Sequence, residues 1–295
     1  MRKRLISGIL AGILAMSMAA CGGSGSSAKT TAAGASSAAE TTEAASKEAA
    51  SGASSEAASG DSDVAYIKGK GTMIVGITDF EPMDYKEQGS DEWIGFDADL
   101  ARKVAEDLGV EAQFVEIDWD NKILEMENKS VDVVWNGMTL TDEVTNSLSC
   151  TKPYLNNAQV VVVPSDVADK YQDKDSLKDL NFAVEVGSAG KEAAEENGLK
   201  TTEVSSQADA LMNVQAKTAD AAIIDLLMAG AMIGDGTSYP NLTHTVELST
   251  EEYGIGCRKG SDLTDFIDEE LDKFRKDGSL KELAEKYGVQ DALVD

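Results

Sequence analysis

From Val64 onward the sequence alternates short apolar runs with amphipathic helical patterns, and this alternation restricts the fold more than any other feature. The apolar runs have the length and composition of β-strands. They lie at residues 73–78, 113–117, 131–135, 160–163, 182–186, 222–224 and 253–257. Helical patterns at 97–108, 123–127 and 208–217 separate several of these runs. Strands that alternate with helices predict an α/β fold with parallel sheets.

The helical segments also carry end signals. In the segment 97–108, Leu100, Val104 and Leu108 share one face, and Gly109 follows where glycine commonly ends a helix. The C-terminal segment, 262–287, is helical with a break near Gly278. The structured part has roughly 230 residues, more than one hydrophobic core usually serves, so two lobes are expected.

The N-terminus has the pattern of an export signal. Residues 2–4 are basic, and the apolar stretch 5–20 is shorter than the roughly 20 residues of a membrane span. We therefore expect a signal peptide over residues 1–20. Small residues then precede Cys21, as in a bacterial lipobox with Met18 in place of the usual Leu, so Cys21 is expected to be lipidated. The alternative is an ordinary cleaved signal or a lone N-terminal anchor.

Residues 21–62 consist almost entirely of Ser, Ala, Gly, Thr and Glu, with no aromatic and no branched aliphatic side chain. Such a segment buries too little apolar surface to offset the entropy of ordering it. We predict a disordered tether that holds the folded part away from a membrane.

Charge and cysteine content limit the function classes. The formal charge of −27 disfavours contact with nucleic-acid phosphates and with anionic lipid, so membrane attachment should come through the lipid alone. Cys150 and Cys257 lie in apolar strand-like runs, either as buried thiols or as a disulfide that export would permit. With His244 as the single histidine and no CxxC or HExxH motif, neither a metal nor a cofactor is expected.

A series of short motifs then follows in a characteristic order. They are GFDADL at 95–100, Trp119-Asp120, VDVV at 131–134, NGMTLT at 136–141, Pro153-Tyr154, DAAIID at 220–225 and EYGIGCRKG at 252–260. In order and spacing they resemble the amino-acid-binding type of bacterial extracellular solute-binding proteins, family 3, from about residue 71 to residue 288.

The resemblance implies a two-lobed periplasmic-binding-protein-like fold of type II, hinged by two crossover strands. Lobe one would comprise residues 63–156 and 253–295, and lobe two residues 157–252. Ligand would stabilise the closed arrangement of the lobes.

On lobe one, the resemblance implies that Phe80, directly after Asp79, and Trp119 form aromatic walls of the ligand cleft, although both could instead be core residues. Asn136, Gly137 and Thr139 follow a strand and precede a helix, where amides and short polar side chains could hold a carboxylate. The alternative is a plain strand–turn–helix corner in which Thr141 only caps the helix.

On lobe two, Gly187 and Ser188 lie at another strand-to-helix turn and would supply further amides. The spacing there lacks the length of a phosphate-binding P-loop, so ATP binding is not expected. Asp225 matches the acidic residue that pairs with a ligand's α-ammonium group, or else it caps the following helix.

One departure from the family pattern matters for the ligand. Where the family normally has an Arg that clamps the α-carboxylate, this chain has Val144. With Asp79, Glu185 and Asp225 near the cleft, the site would be acidic, which favours a ligand with more positive than negative charge. The alternative is that Lys152 or Lys191 reaches the cleft and the ligand is an ordinary amino acid.

The sequence therefore predicts capture of an amino acid or related amine outside the cytoplasm, without catalysis. The partners would be an ABC permease and ATPase, and the protein would be a monomer, lipid-anchored on the outer face of the cytoplasmic membrane. Two alternatives stay open. The chain could be the ligand-sensing subunit of a membrane receptor, or an enzyme like the cyclohexadienyl dehydratases that share this fold, with Glu185 as the general acid.

Overall fold

The computed structural model describes residues 62–294. The predicted signal peptide, Cys21 and all of the predicted tether except Ser62 lie outside the described residues. The first helix begins after Ser62, whose hydroxyl accepts a hydrogen bond from the Ala65 amide at 3.0 Å, and Gly71 ends it in a left-handed conformation. None of the helices within 62–294 has both the length and the apolar character that crossing a membrane requires.

The strands are β1 Thr72–Ile77, β2 Glu111–Glu116, β3 Val133–Thr139, β4 Ser149–Cys150, β5 Leu155–Pro164, β6 Asn181–Glu185, β7 Lys200–Val204, β8 Ala221–Asp225 and β9 Leu242–Cys257. Seven strands coincide with the predicted apolar runs, and two of these, β5 and β9, extend far beyond them, while β4 and β7 were not predicted. The helices are α1 Asp63–Lys70, α2 Phe96–Leu108, α3 Lys122–Glu127, α4 Asp142–Ser147, α5 Ala189–Glu196, α6 Gln207–Gln215, α7 Leu226–Met232, α8 Leu263–Asp277 and α9 Ser279–Tyr287.

The strands form a mixed sheet in the order β2-β1-β3-β9-β5-β8-β6-β7, with β4 paired to β9. Parallel pairing holds within each half, between β1 and both β2 and β3, and between β6 and both β7 and β8. The parallel α/β pattern predicted from the sequence is therefore present twice. The two long strands β5 and β9 run antiparallel to their neighbours and join the halves.

Strands β5 and β9 are the two crossover strands of a two-lobed type II fold, so the predicted fold class is confirmed. They pair from Leu155 opposite Tyr253 to Pro164 opposite Leu242, with register shifts beyond Gln159. The C-terminal end of β9 pairs with β3, in lobe one, whereas β5 pairs with β8, in lobe two. The expected lobe boundaries remain a prediction, and they fall where Asn156 lies opposite Glu252 on the crossover strands.

Helix α2 packs its predicted apolar face into lobe one and holds the loop that follows β1. Leu100, Val104 and Leu108 are buried, and Gly109 ends the helix with φ of 82°. At the other end the Phe96 and Asp97 amides donate to backbone carbonyls of the loop, those of Pro82 and Met83, at 2.9 and 3.0 Å. This clamp fixes the loop that carries Phe80.

A buried carboxylate ties α2 to β3 and β5. Both carboxylate oxygens of Asp97 accept from the Tyr154 hydroxyl, at 2.8 and 2.9 Å, and one also accepts from the Gly137 amide at 2.7 Å. Burial raises the pKa of Asp97 to about 6, against the lowering effect of these donors. The motif residue Asp97 is therefore a structural link to the corner at Gly137.

The two cysteines within the described residues are free thiols on neighbouring strands. Cys150 on β4 lies opposite Gly256, and Ser149 lies opposite Cys257 on β9. Burial raises the pKa of the Cys257 thiol to about 12. Of the two interpretations, the structure has free thiols rather than the disulfide, with Cys257 buried and Cys150 half-buried.

Candidate functional site

A cavity of about 280 Å³ lies between the two lobes. Every residue that the sequence predicted for the ligand site lines it, with the exception of Asp79. These residues are Phe80, Trp119, Asn136, Gly137, Thr139 and Val144 from lobe one and Glu185, Gly187, Ser188 and Asp225 from lobe two. Residues more than a hundred positions apart in the chain thus meet at one gap.

The structure places Asp79 apart from the other predicted site residues. Asp79 lines a separate cavity together with Glu116 and Asp118, while Phe80 lines the main one and Thr78 lines both. Burial, and then the charge of Glu116, raise the pKa of Asp79.

The two aromatic residues belong both to the core and to the cavity wall. Phe80 is 3% exposed and Trp119 is 7% exposed, and each packs into an apolar cluster. The Phe80 ring meets Tyr253 edge-on, with centroids 6.4 Å apart. The core and ligand-wall alternatives are therefore compatible, because packing from behind holds each ring at the cavity.

At the Asn136–Gly137 corner, the hydrogen-bonding groups are already paired with other groups of the protein. The Asn136 side-chain amide donates to the Thr78 carbonyl at 3.0 Å and to Asp84 at 2.8 Å, and its oxygen accepts from Thr78. The Gly137 amide donates to Asp97. These donors are not free to hold a carboxylate, so this corner shapes the wall and Phe80 rests against it.

Thr141 and Ser188 both cap helices. The Thr141 hydroxyl accepts from the Val144 amide at 3.3 Å, as in the capping alternative. The Ser188 hydroxyl accepts from the Lys191 amide at 3.1 Å and donates to the Glu185 carbonyl at 2.8 Å. Both residues still line the cavity, so their roles in local structure and in the site coexist.

Asp225 is the most heavily bonded residue of the site. Its carboxylate accepts from Asn157 at 2.5 Å, from Gln159 at 2.8 Å and from the Tyr253 hydroxyl at 2.7 Å. The Gln207 side chain donates to the same carboxylate and accepts from the Asp225 amide at 2.8 Å. The Asp225 side chain does not cap helix α7, so the capping alternative does not hold. Burial raises the pKa of Asp225.

A second acid joins this network at the hinge. Glu251 on β9 accepts from Asn157 at 2.6 Å and from Gln159 at 2.9 Å. Burial, and then the neighbouring charge of Asp225, raise the pKa of Glu251 to about 8. The buried acid pair Asp225 and Glu251 is therefore held by side chains of the crossover strand β5. Sequence analysis did not identify Asn157, Gln159 or Glu251, since a single polar residue in a strand carries no signal of its partner.

Glu185 ends strand β6 and is 3% exposed. Its Oε1 atom is buried without a hydrogen-bond partner among residues 62–294. Burial raises the pKa of Glu185 to about 8, although the nearby positive charge of Lys122 acts in the opposite direction. At neutral pH the carboxyl is therefore largely protonated until a cation approaches it.

Lys122 is the main site residue that the sequence analysis missed. It is 5% exposed, and its ammonium donates across the gap to the Gly187 carbonyl at 2.9 Å and to the Trp119 carbonyl at 3.3 Å. The ammonium also lies 5.1 Å from the centre of the Trp119 ring. The available signal was spacing: Lys122 is one helical turn after Trp119.

The two lysines considered from the sequence have other partners. Lys152 is exposed and pairs with Asp272 at 3.7 Å, and it does not line the cavity, so that expectation was wrong. Lys191 does line it, but its ammonium pairs with Glu195 at 3.2 Å and Glu203 at 3.5 Å.

The raised pKa of Glu185 predicts a pH dependence of stability. The folded protein holds this proton up to about pH 8, whereas an unfolded chain releases it near the ordinary value of 4.5. Stability should therefore fall as pH rises between these values. In urea denaturation of the ligand-free protein, Glu185→Gln is expected to remove on the order of 1–4 kcal/mol of this dependence.

The matched control is Glu196→Gln, an exposed glutamate on the following helix. This variant should keep the wild-type slope of stability against pH. An unchanged slope in Glu185→Gln would contradict the burial of a protonated carboxyl at this position.

Comparison with known proteins places this fold and cavity in a defined family. The model of the bacterial extracellular solute-binding proteins, family 3, matches residues 73–290. The arginine-binding extracellular protein ArtP of Bacillus subtilis (strain 168) is 30% identical over 237 residues, which cover 78% of this chain and 91% of ArtP.

Two solved structures show the same fold. The first is an ancestral amino-acid-binding protein, described as a precursor of cyclohexadienyl dehydratase. It is 30% identical with a TM-score of 0.70, and the match covers 77% of this chain and 99% of that one. The second is a histidine-bound substrate-binding protein of an ABC uptake transporter from Streptococcus pneumoniae. It is 26% identical with a TM-score of 0.72, and the match covers 80% of this chain and 100% of that one. The chain belongs to family 3 of the bacterial extracellular solute-binding proteins.

Proposed function

We propose that this protein captures an amino acid with a positively charged side chain, or a related amine, outside the cytoplasm and delivers it to an ABC importer. The observation that supports this most is the charge of the cavity. Five acidic side chains line it, Glu143, Glu185, Glu192, Glu195 and Asp225, against the two ammonium groups of Lys122 and Lys191. Even with Glu185 protonated near neutral pH in the absence of a cation, the acids outnumber the ammonium groups. A site with this excess of acid favours a ligand of net positive charge.

Two of the similar proteins have a ligand of the same class. ArtP is named as an arginine-binding protein, and the pneumococcal structure contains histidine. The aromatic walls at Phe80 and Trp119 add surfaces on which a guanidinium or imidazole group could stack.

Extracytoplasmic location follows from the family, and we propose that the protein is held there by a lipid on Cys21. The basic and apolar residues 1–20 would direct export, and the segment 21–62 would act as the tether. Replacement Cys21→Ser is expected to move the protein from the membrane fraction to the soluble extracytoplasmic fraction, as measured by fractionation and immunoblotting. Retention in the membrane fraction would contradict lipidation at this residue.

The partners of such a protein would be a permease and an ATPase, with the protein itself a monomer. A sensor subunit that reports ligand to a membrane receptor would use the same cavity. Uptake of labelled ligand that depends on this protein would favour the importer over the sensor.

A dehydratase is the second candidate, and Glu185 is the observation that favours it. A carboxyl that stays protonated near pH 8 in a closed cleft meets the requirement for a general acid, and one structural neighbour is described as a precursor of such an enzyme. An enzyme would convert a cyclic amino-acid precursor, and Glu185→Gln would abolish that conversion. A binding protein would convert none.

Ligand class is tested by calorimetric titration of the purified protein with the twenty L-amino acids. L-Arginine, L-lysine or L-histidine is expected to bind at micromolar concentration or below, and L-aspartate and L-glutamate not at all. Asp225→Asn, which removes one negative charge at nearly constant volume, should weaken that binding at least tenfold. Tightest binding of an acidic amino acid would contradict the proposed charge preference, and no binding at all would contradict the proposed class.

Lobe closure is tested at Gly187, where the lobes touch. A β-carbon there would lie 2.7 Å from the Asp120 Cα of the other lobe, and the backbone φ is 68°. Gly187→Ala should therefore lower ligand affinity roughly tenfold or more, because the closed arrangement is blocked while the open one is not.

The control is Gly198→Ala, at φ of 64° and with nothing within 4 Å of the added carbon. Both variants should lose similar stability in urea, on the order of 1 kcal/mol, since they share the backbone strain. Equal ligand affinity in the two variants would contradict closure over the ligand.

A further inference from the structure

At position 144, where the family has an arginine, this chain has a buried apolar side chain. Val144 is 2% exposed and packs in one cluster with Trp119, Met138 and Leu148. The cavity wall at this point therefore offers no charge to a ligand carboxylate. A basic group must come from elsewhere if a zwitterionic amino acid is to be held in this cavity.

Lys122 is a buried cation: burial lowers its pKa, and the charges of Glu143, Glu185 and Asp120 act in the opposite direction. It forms no ion pair with any carboxylate of the described residues, and both of its hydrogen-bond partners are neutral backbone carbonyls. An ammonium group has three donors, so one remains unused. A buried charge is costly unless an opposite charge accompanies it, which makes this position receptive to an anion.

The other cation at the cavity does not share this property. Lys191 is balanced by Glu195 and Glu203 and is more exposed than Lys122. Among the residues that line the cavity, Lys122 is thus the cation left without a carboxylate partner.

The two lobes contribute different buried charged groups to the cavity. Lys122 comes from lobe one, whereas Glu185 and Asp225 come from the strand ends of lobe two. The Glu185 Oε1 atom is a buried acceptor without a donor. A zwitterion could place its carboxylate at Lys122 and its ammonium at the acidic side, and so satisfy both buried groups.

We propose that Lys122 binds the carboxylate of the ligand, in the role that the family gives to an arginine at position 144. This inference rests on the proposed function, since it assumes an amino-acid ligand. Because the same ammonium contacts the Gly187 carbonyl of the other lobe, it joins carboxylate binding to lobe closure.

The test compares each amino acid with the amine that lacks its carboxylate. Wild type, Lys122→Gln and Lys122→Arg are titrated calorimetrically with L-arginine, agmatine, L-histidine and histamine. Lys122→Gln is expected to bind the preferred amino acid at least 30-fold more weakly than wild type and the matching amine within threefold of wild type. Lys122→Arg, which keeps the charge, should retain most of the affinity for the amino acid.

The control variant is Lys86→Gln. Lys86 lies 4.3 Å from the centre of the Trp93 ring, also in lobe one, so it repeats the lysine–tryptophan contact away from the cavity. This variant should bind every probe as wild type does.

Several results would overturn the role of Lys122. An equal loss for amino acid and amine would mean that Lys122 only holds the lobes together. The proposed carboxylate contact would be contradicted if Lys122→Gln bound the amino acid as tightly as wild type does. It would also be contradicted if wild type bound the amine as tightly as the amino acid. Failure of wild type to bind any of the four probes would contradict the proposed function, and the role of Lys122 with it.

Discussion

The buried carboxylate of Asp225 is the interaction on which the geometry of the site depends. It ends strand β8 of lobe two, yet its partners Asn157, Gln159 and Tyr253 lie on the two crossover strands. Burial of a carboxylate without hydrogen-bond donors is unfavourable. The hydrogen bonds from these three residues therefore stabilise Asp225 and fix the donor side chains at the same time. The acidic pole of the cavity is thereby attached to the hinge, and a cation that binds Asp225 meets the part of the protein about which the lobes would move.

Lobe one also contains a buried carboxylate that fixes the geometry of the site. Asp97 joins α2 to Tyr154 and to the Gly137 amide, and this corner supports the Phe80 ring. The rigid aromatic wall and the acidic pole thus come from different lobes, each fixed by its own buried network. Lys122 contacts both lobes and forms no close ion pair among residues 62–294, so the gap offers one cation beside several acids, which suits a zwitterion with an extra positive charge.

Much of this was predictable from local sequence. The period of apolar residues located the strands and helix α2, and Gly109 marked a helix end, because these depend on neighbours in the chain. The predicted residues that line the cavity were identified from the order of the family motifs. Asp79 lies in another cavity, and the direction of a single side chain in the loop after β1 is not given by the motif order. The internal bonds of Asn136 and the role of Lys122 depend on partners far along the chain, such as Gly187, 65 residues from Lys122, and no local pattern reports such contacts.

The most direct measurement is a crystal structure of the protein with the amino acid that it binds most tightly. The ligand should lie between the lobes, beside Phe80 and Trp119, with its ammonium at Asp225 and its carboxylate within hydrogen-bonding distance of the Lys122 ammonium. A ligand that contacts one lobe only, or that lies outside the gap between β3 and β8, would contradict the view that opposite charges on two hinged lobes hold the solute.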